Sequence, residues 1–461
     1  MIHFPFRLKK KAETTLIVDV GTETVKSLLF EERGQEIKIL GSSLEYFDRY
    51  GIFDSRDFET DVLKKAISRA IQNLGKGEEM NKSVTRALAK GEDERSSSTT
   101  RALAKGGDEG KLCAMKINLH LSPSLPLGAR RRRQTSSIIL GLPAHILKAR
   151  VIRQSLKREE SKKIIIDEKE EKEIFQKVLE KAKKNICQIY SEQSGILPED
   201  IQFINLEILE IKIDGYLVPA IQKYEGKTLD FIILATFLPN HYLKKIKNII
   251  ESLGLTIQAV IQNAQGLNFY IDKTADKIFL DIGGTITQVF LVKGGVLEKI
   301  DEFPIGGQIF SKAISERLGL REAEARILKE RYSKRELSKE SSERIKEIIW
   351  FPSQVWFRNL KLKLKEMTAR HPLPLNIVLF GGGSQLPDVQ DILKKGEWES
   401  VSSGGKIEVQ FFCPGKEDKS SFLPFANARV KEEIQEGIKI LNSPQQISLL
   451  LMSYAKIKKA Y

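Results

Sequence analysis

Lys277–Gly295 reads KIFLDIGGTITQVFLVKGG. An apolar strand through Ile278, Phe279 and Leu280 ends in Asp281. A Gly283-Gly284 turn with Thr285 follows, and a second apolar run, Val289 to Val292, leads away. Two apolar strands joined by a glycine turn make a hairpin. This one carries an acid, bare backbone and a hydroxyl at its tip. Glycine at 283 and 284 lets the backbone reach positive φ and lets a bulky group approach the N–H groups closely. Successive N–H groups in such a turn form a concave nest for anions, phosphate above all. A carboxylate at the strand end suits a hydrated Mg²⁺, which keeps several waters and takes one or two carboxylates.

A single Gly-Gly hairpin is a commonplace tight turn, but the chain repeats the pattern. Leu16-Ile17-Val18-Asp19-Val20-Gly21-Thr22 again runs from apolar strand to acid, glycine and threonine. Val25 and Leu28 to Phe30 form the next strand, and Ile37 to Leu40 a third, as Val296 to Phe303 does in the later copy. Both meanders lead towards helical patterns, Phe58–Leu74 and Gln308–Leu318. Such internal duplication says more about a fold than any single motif. A third glycine cluster, Gly381-Gly382-Gly383-Ser384, follows the buried-strand run Asn376–Phe380 and precedes a helix start at Pro387-Asp388.

Asp19-x-Gly21-Thr22-x-x-x-Lys26, Asp281-x-Gly283-Gly284-Thr285 and Gly381-Gly382-Gly383-Ser384 resemble the phosphate-1, phosphate-2 and adenosine motifs of the actin-like ATPase superfamily. Within it the chain is similar to the FtsA-type cell-division proteins and to their relatives, the PilM-type pilus-assembly proteins. Phe303-Pro304-Ile305-Gly306-Gly307, then Glu322 to Arg326, is similar to the segment after phosphate-2 in those families. The resemblance implies an α/β, actin-like (ribonuclease-H-like, duplicated) two-lobed fold with an inserted small subdomain of the SHS-two type, subdomain 1C. It implies ATP and Mg²⁺ as ligands, with Asp19 and Asp281 holding the metal through water. It also implies self-association into filaments or dimers, and docking of an FtsZ-type tail peptide or of a pilus-assembly protein tail.

Composition narrows the classes. The 461 residues are 41% hydrophobic, enough for more than one core. No apolar run approaches the ~20 residues of a membrane helix, and Met1–Ala12 has no secretory pattern. Cys113, Cys187 and Cys413 are scattered without metal or disulfide spacing, which suits a reducing cytoplasm. The expected location is cytoplasmic, with peripheral contact at the inner face of the membrane left open. A net charge of +14 rests on 75 basic and 61 acidic residues, so most charge is intermixed. Nucleic-acid binding ranks behind attraction to acidic peptides or anionic lipid heads.

In chain order, 1–13 is a basic lead and 14–80 the first part of lobe 1. Residues 81–134 form a low-complexity insertion in which Thr85 to Gly91 recurs as Thr100 to Gly106, and disorder is expected there. Residues 135–239 read as the inserted subdomain and 240–274 as the return to lobe 1. Residues 275–400 read as lobe 2, and 401–461 as a closing segment with a final helix. That helix, opened by Ser443-Pro444, carries Ile447, Leu450, Leu451, Tyr454 and Tyr461 on one face and reads as core rather than as an interfacial anchor. A core helix leaves no membrane tail and favours the PilM type, whereas the middle subdomain looks closer to FtsA. The expected function is an ATP-binding, FtsA-like cytoskeletal adaptor in cell division that links a tubulin-like ring protein to the membrane through nucleotide-dependent self-association. A PilM-like role in type IV pilus assembly is the alternative. Gln308–Leu373 reads as charged helix with solvated arginines and lysines, and Trp350 to Phe357 as an aromatic cluster filling a core.

Two departures from the family pattern limit hydrolysis. Gln288 stands where an acid often follows the phosphate-2 threonine, and Ile261–Gly266 holds no carboxylate to position water. Gln262 and Gln288 are the candidates to orient it, as a glutamine does in some NTPases. Slow hydrolysis or none is expected. A sugar-kinase-type phosphotransferase is the alternative from another class, and it needs a catalytic aspartate between the lobes.

Overall fold

The computed structural model describes residues 13–33, 36–48, 52–53, 58–74, 136–159, 165–271, 276–368, 374, 376–398, 407–412 and 443–459. The 81–134 insertion, the basic lead save Glu13, and 413–442 of the closing segment lie outside the described residues.

Both acid–glycine stretches fold as hairpins because their flanks are rich in β-branched and aromatic residues, which suit a pleated, buried surface. Glu13–Val20 (β1), Thr24–Arg33 (β2) and Glu36–Tyr46 (β3) pair antiparallel in sequence order. Ser136–Gly141 (β4) then joins β1 in parallel, and Leu255–Val260 (β9) joins β4, giving β3-β2-β1-β4-β9. The second lobe repeats this order with Lys277–Ile282 (β10), Thr287–Lys293 (β11), Val296–Phe303 (β12), Asn376–Phe380 (β13) and Glu408–Phe411 (β14), as β12-β11-β10-β13-β14. A constant offset carries the pair Asp19–Lys26 onto Asp281–Gln288, and the strand irregularity at Leu29/Phe30 onto that at Leu291/Val292. The duplication therefore extends to the position of a β-bulge, a feature that re-aims side chains.

Ser136–Gly141, expected in the inserted subdomain, belongs to lobe 1. Its parallel pairing on both edges buries Ile138, Ile139 and Leu140 completely, as central parallel strands require. The small subdomain instead begins at Lys148–Lys157 (β5), a strand the sequence reading did not identify. It continues through Ile201–Ile213 (β6), Tyr216–Leu217 (β7) and Thr228–Pro239 (β8), in an antiparallel sheet ordered β5-β8-β6-β7. One helix, Glu168–Ser194, covers a face of it. Ile174, Val178, Ala182 and Ile186 recur every fourth residue and bury against that sheet, Ile174, Val178 and Ala182 in one cluster with Phe231 and Ile233. Asp167 caps this helix by accepting the Glu170 N–H at 2.9 Å.

Although inserted in lobe 1, the small subdomain also grips lobe 2. Lys148 and Arg150 on β5 each donate to Glu302 on β12 at 2.8 Å. Burial by itself would raise the Glu302 carboxyl. The hydrogen bonds and charges of Arg150 and Lys148 prevail and hold it down at about 2.

The helices include Thr60–Asn73 (α1), Glu168–Ser194 (α2), Asn240–Ser252 (α3), Asn263–Tyr270 (α4), Gln308–Leu318 (α5), Glu322–Ser333 (α6) and Lys339–Met367 (α7). Pro387–Lys395 (α8) and Ile447–Lys459 (α9) complete them. Ile447, Leu449, Leu450, Leu451 and Met452 of α9 are all buried, so that helix is core, as its apolar run suggested. The expected aromatic cluster is divided. Trp356 and Phe357 are buried, and the Trp356 indole donates to the Thr287 hydroxyl at 3.0 Å, while Trp350 and Phe351 are 61% and 66% exposed. No described helix is long and apolar enough to cross a membrane.

The helix α4 crosses α9 at Gly266, where a Cβ would overlap the Leu451 carbonyl. Gly266→Ala gains about 0.5–1 kcal/mol of helix propensity, but overpacking two helices costs about 1–3 kcal/mol. A net loss of about 1–2 kcal/mol is expected in a denaturant melt. A rise in midpoint would mean that the two helices do not meet there.

Candidate functional site

The turns of the two hairpins face each other across the groove between the lobes. That groove encloses about 340 Å³, within the range of small-ligand pockets. Asp19, Gly21, Thr22 and Lys26 line it from the first hairpin, Asp281, Gly283, Gly284 and Gln288 from the second, and Gly381, Gly382 and Gly383 from the third glycine cluster. Residues far apart in the chain thus converge because each lobe presents the same end of the same strand pair.

Two expected members are placed differently. Thr285 lines a second cavity behind the turns, and its N–H donates to the Thr22 hydroxyl at 3.0 Å. The two tips therefore touch through backbone and hydroxyl instead of offering both threonine hydroxyls to the groove. Ser384 is buried, and its hydroxyl donates back to the Gly381 carbonyl at 2.7 Å, closing its own turn.

Charge is arranged unequally across the pseudo-symmetric pair. Lys26 stands opposite Asp19 in the β1–β2 register, which puts both side chains on one face of the sheet. Its Nζ donates to Asp19 Oδ2 and to the Ser448 hydroxyl, each at 2.9 Å, and Ser448 donates to the same Asp19 oxygen at 2.5 Å. Lys26 thus faces inward. The register position equivalent to Lys26 in lobe 2 holds the neutral Gln288. Its Oε1 accepts from Gln262 Nε2 at 3.1 Å, and its own Nε2 is buried with no protein partner. Asp281 accepts from Asn263 at 2.9 Å. Burial pushes its carboxyl up to about 6, the Asp19 charge adding to the rise and Lys26 opposing it.

A glycine at the end of the fourth strand of each lobe leaves room for the acid beside it. A Cβ on Gly141 would come within 2.6 Å of Asp19, and Gly381, at φ +84°, would press one onto the Asp281 carboxylate. Gly141 was not singled out in the sequence. Its signal is the apolar run Ile138–Leu140 ending in glycine, as Asn376–Phe380 does before Gly381.

The far wall comes from α6 and the residue that caps it, where Lys329, Glu330, Ser333 and then Lys334 line the groove. Lys329 was read as part of a solvated face and is instead buried. Its Nζ donates to the Gly307 carbonyl at 3.0 Å, and burial lowers its pKa. A helix with charges on every side shows no apolar stripe to mark its inward face, which is why the sequence concealed this. Tyr46, at the end of β3, reaches over from lobe 1. Burial, then the Glu330 charge, raise its hydroxyl well above the ordinary tyrosine value, and the Arg326 guanidinium lies 4.1 Å from its ring centre. Glu23, also absent from the sequence candidates, lines the same groove with one carboxylate oxygen buried and unpartnered.

Two homologous lobes, matched acid–glycine turns at their junction and an inserted small sheet define an actin-like two-lobed α/β fold. Among solved structures the chain is similar to the PilM-PilN type IV pilus biogenesis complex, with a TM-score of 0.57 at 12% identity, over 96% of this chain and 98% of that one. At that identity the likeness is one of fold. The cytoplasmic domain of EpsL from the type II secretion system of Vibrio cholerae (TM-score 0.27, 9% identity, 66% and 77% of the two chains) adds no weight at such a score. Neither does the ethanolamine utilization protein EutJ from Carboxydothermus hydrogenoformans (0.27, 17%, 36% and 54%). No protein-family model and no curated protein matches the chain.

Proposed function

We propose that the chain binds magnesium-ATP in the interlobe groove and serves as an adaptor whose lobes close on the nucleotide. The observation that supports this most is the meeting of the two acid–glycine turns on one groove, with Lys26 between the acids. The residues present fit such a ligand. Gln288 Nε2 is a buried donor awaiting an acceptor, the glycine turns offer close backbone approach, and Lys26 and Lys329 supply positive charge. Thr22 and Gly284 would hold phosphate oxygens, while Gly21 and Gly283, whose N–H groups close their own turns on the Thr24 and Ile286 carbonyls, leave room for the close approach. Asp19 and Asp281 would hold Mg²⁺ through its waters. Gly381 to Gly383 would pack on adenosine, with Lys329, Glu330 and Ser333 near the sugar. When bound, the magnesium nucleotide supplies a charged bridge between lobes, and it shifts their closure by its differential affinity for the closed arrangement.

Slow hydrolysis or none remains the reading. Gln262 is occupied at both ends, accepting the Ala264 N–H and donating to Gln288, which leaves it poorly free to orient water. Against the phosphotransferase alternative, the described lining of the cavity behind the turns holds no carboxylate. Its histidine, His145, is lowered to about 4 by burial, with Lys148 adding, so it makes a weak base at neutral pH.

The whole-chain likeness to the pilus complex supports a PilM-like role, docking a tail of a pilus-assembly protein, over an FtsA-like role in cell division. Full-length protein titrated with a fluorescent ATP analogue and magnesium is expected to bind saturably, and no saturation up to millimolar nucleotide would overturn the reading. A pull-down with a pilus-protein tail peptide beside an FtsZ-type tail peptide separates the two roles. Capture by the FtsZ-type tail alone would move the chain to cell division.

A further inference from the structure

The two hairpin tips are equivalent in register but not in chemistry. The offset that carries Asp19 onto Asp281 carries Thr22 onto Gly284 and Glu23 onto Thr285. A threonine at one tip thus has a carboxylate as its counterpart at the other. The Glu23 side chain crosses from lobe 1 and lies on the lobe 2 turn, where a Cβ on Gly284 would come within 2.5 Å of Glu23 Cγ. One of its oxygens is buried without a partner. Burial lowers the Lys329 ammonium, and the Glu23 charge is the first to oppose that fall, although the lysine's hydrogen bond goes to the Gly307 carbonyl. Asp281, by contrast, responds to Lys26 and Asp19.

We infer that Glu23 makes the groove selective for a cation-bound polyphosphate over the bare anion. This rests on the nucleotide reading above. The acid sits beside Gly284, while the Gly283 and Thr285 N–H groups of the same turn already donate to the Ile286 carbonyl and the Thr22 hydroxyl, so a metal-free polyphosphate approaching the Gly284 N–H meets a fixed like charge. At an effective dielectric of about 20 and a few ångströms, one such charge weakens binding on the order of a hundredfold or more. A divalent cation on the phosphates cancels that repulsion, and its coordinated waters give the unpartnered Glu23 oxygen a hydrogen-bond donor. Mg²⁺ is ordinarily carried by substrate phosphates with only one or two protein carboxylates, so the cation arrives with the phosphates. Glu23 then turns the cation from an accessory into a condition of entry.

The test compares wild type with Glu23→Gln and Glu23→Ala, each titrated with a fluorescent ATP analogue in magnesium and in EDTA, with melting temperatures to confirm folding. Wild type is expected to prefer the magnesium form by on the order of a hundredfold or more. Both variants should narrow that preference by about tenfold or more, through tighter binding in EDTA. An unchanged magnesium-to-EDTA ratio in folded variants overturns the selector and leaves the nucleotide reading intact. Weaker binding of both forms by folded variants also overturns it, making Glu23 a direct ligand. Wild type that binds neither form removes the nucleotide reading itself, and the inference with it.

Discussion

Lys26→Met should destabilise the protein by about 3–5 kcal/mol, the usual cost of removing one partner of a buried ion pair, and should abolish nucleotide binding. Lys26 is the cation between two acids. It donates to Asp19 at 2.9 Å and opposes the rise of the Asp281 carboxyl. The Asp19–Lys26 side chains are only 10% and 13% exposed, so water replaces little of what the lysine supplies. Methionine keeps most of the length and the apolar stem and removes the ammonium together with its two hydrogen bonds. Asp19 would retain the Ser448 hydroxyl alone, a much weaker partner than an ammonium. Chemical denaturation of both proteins measures the loss. The double variant with Asp19→Asn should recover part of it, since the uncompensated acid is then gone. A single variant within about 1 kcal/mol of wild type would mean that the pair is effectively solvated and that Lys26 does not bind the two lobes' acids together.

Asp281→Asn should act in the opposite direction on stability and in the same direction on binding. The native carboxyl is pushed up to about 6 from an ordinary 3.8, so the folded state holds this proton more tightly than the unfolded chain does. The favourable contribution is complete below the unfolded value and is lost as pH rises through the folded one. Above that window the ionised acid costs about 2–3 kcal/mol. Asparagine removes the cost and can still accept the Asn263 N–H. The variant should therefore be more stable than wild type at pH 8, with the gap closing towards pH 4, while magnesium-dependent affinity falls. Denaturation midpoints at the two pH values check the first part and nucleotide titration the second. An equal gap at both pH values would show that the carboxyl titrates normally. Together the two variants weigh an unfavourable buried acid against the one lysine that opposes its rise.

Much of this groove was legible in the chain. A strand alternates with period two, and glycine shortly after its acidic end marks a turn with a conformation or a close approach that larger residues resist. Asp19, Gly21, Asp281, Gly283 and Gly284 could thus be found from local pattern, and the repeat made them significant. Gly381 was legible for the same reason, because a residue at φ +84° pressed against a carboxylate leaves little choice but glycine. The inward helix α9 was legible from the apolar density of Ile447–Met452.

Other features are absent from local pattern. Glu23, Lys329 and Ser448 look like ordinary polar residues, and each acquires its place only when two lobes or a distant helix close on it. The strand β5 shows no clean alternation because it is wedged between its own sheet and β12, where Lys148 and Arg150 meet Glu302. By itself the sequence determined that there are two matching lobes and which turns end their central strands, since backbone freedom and strand periodicity are properties of neighbouring residues. The tertiary structure alone decided which charges face one another across the groove, because the partner of a buried charge is chosen by long-range packing and by the water that packing excludes.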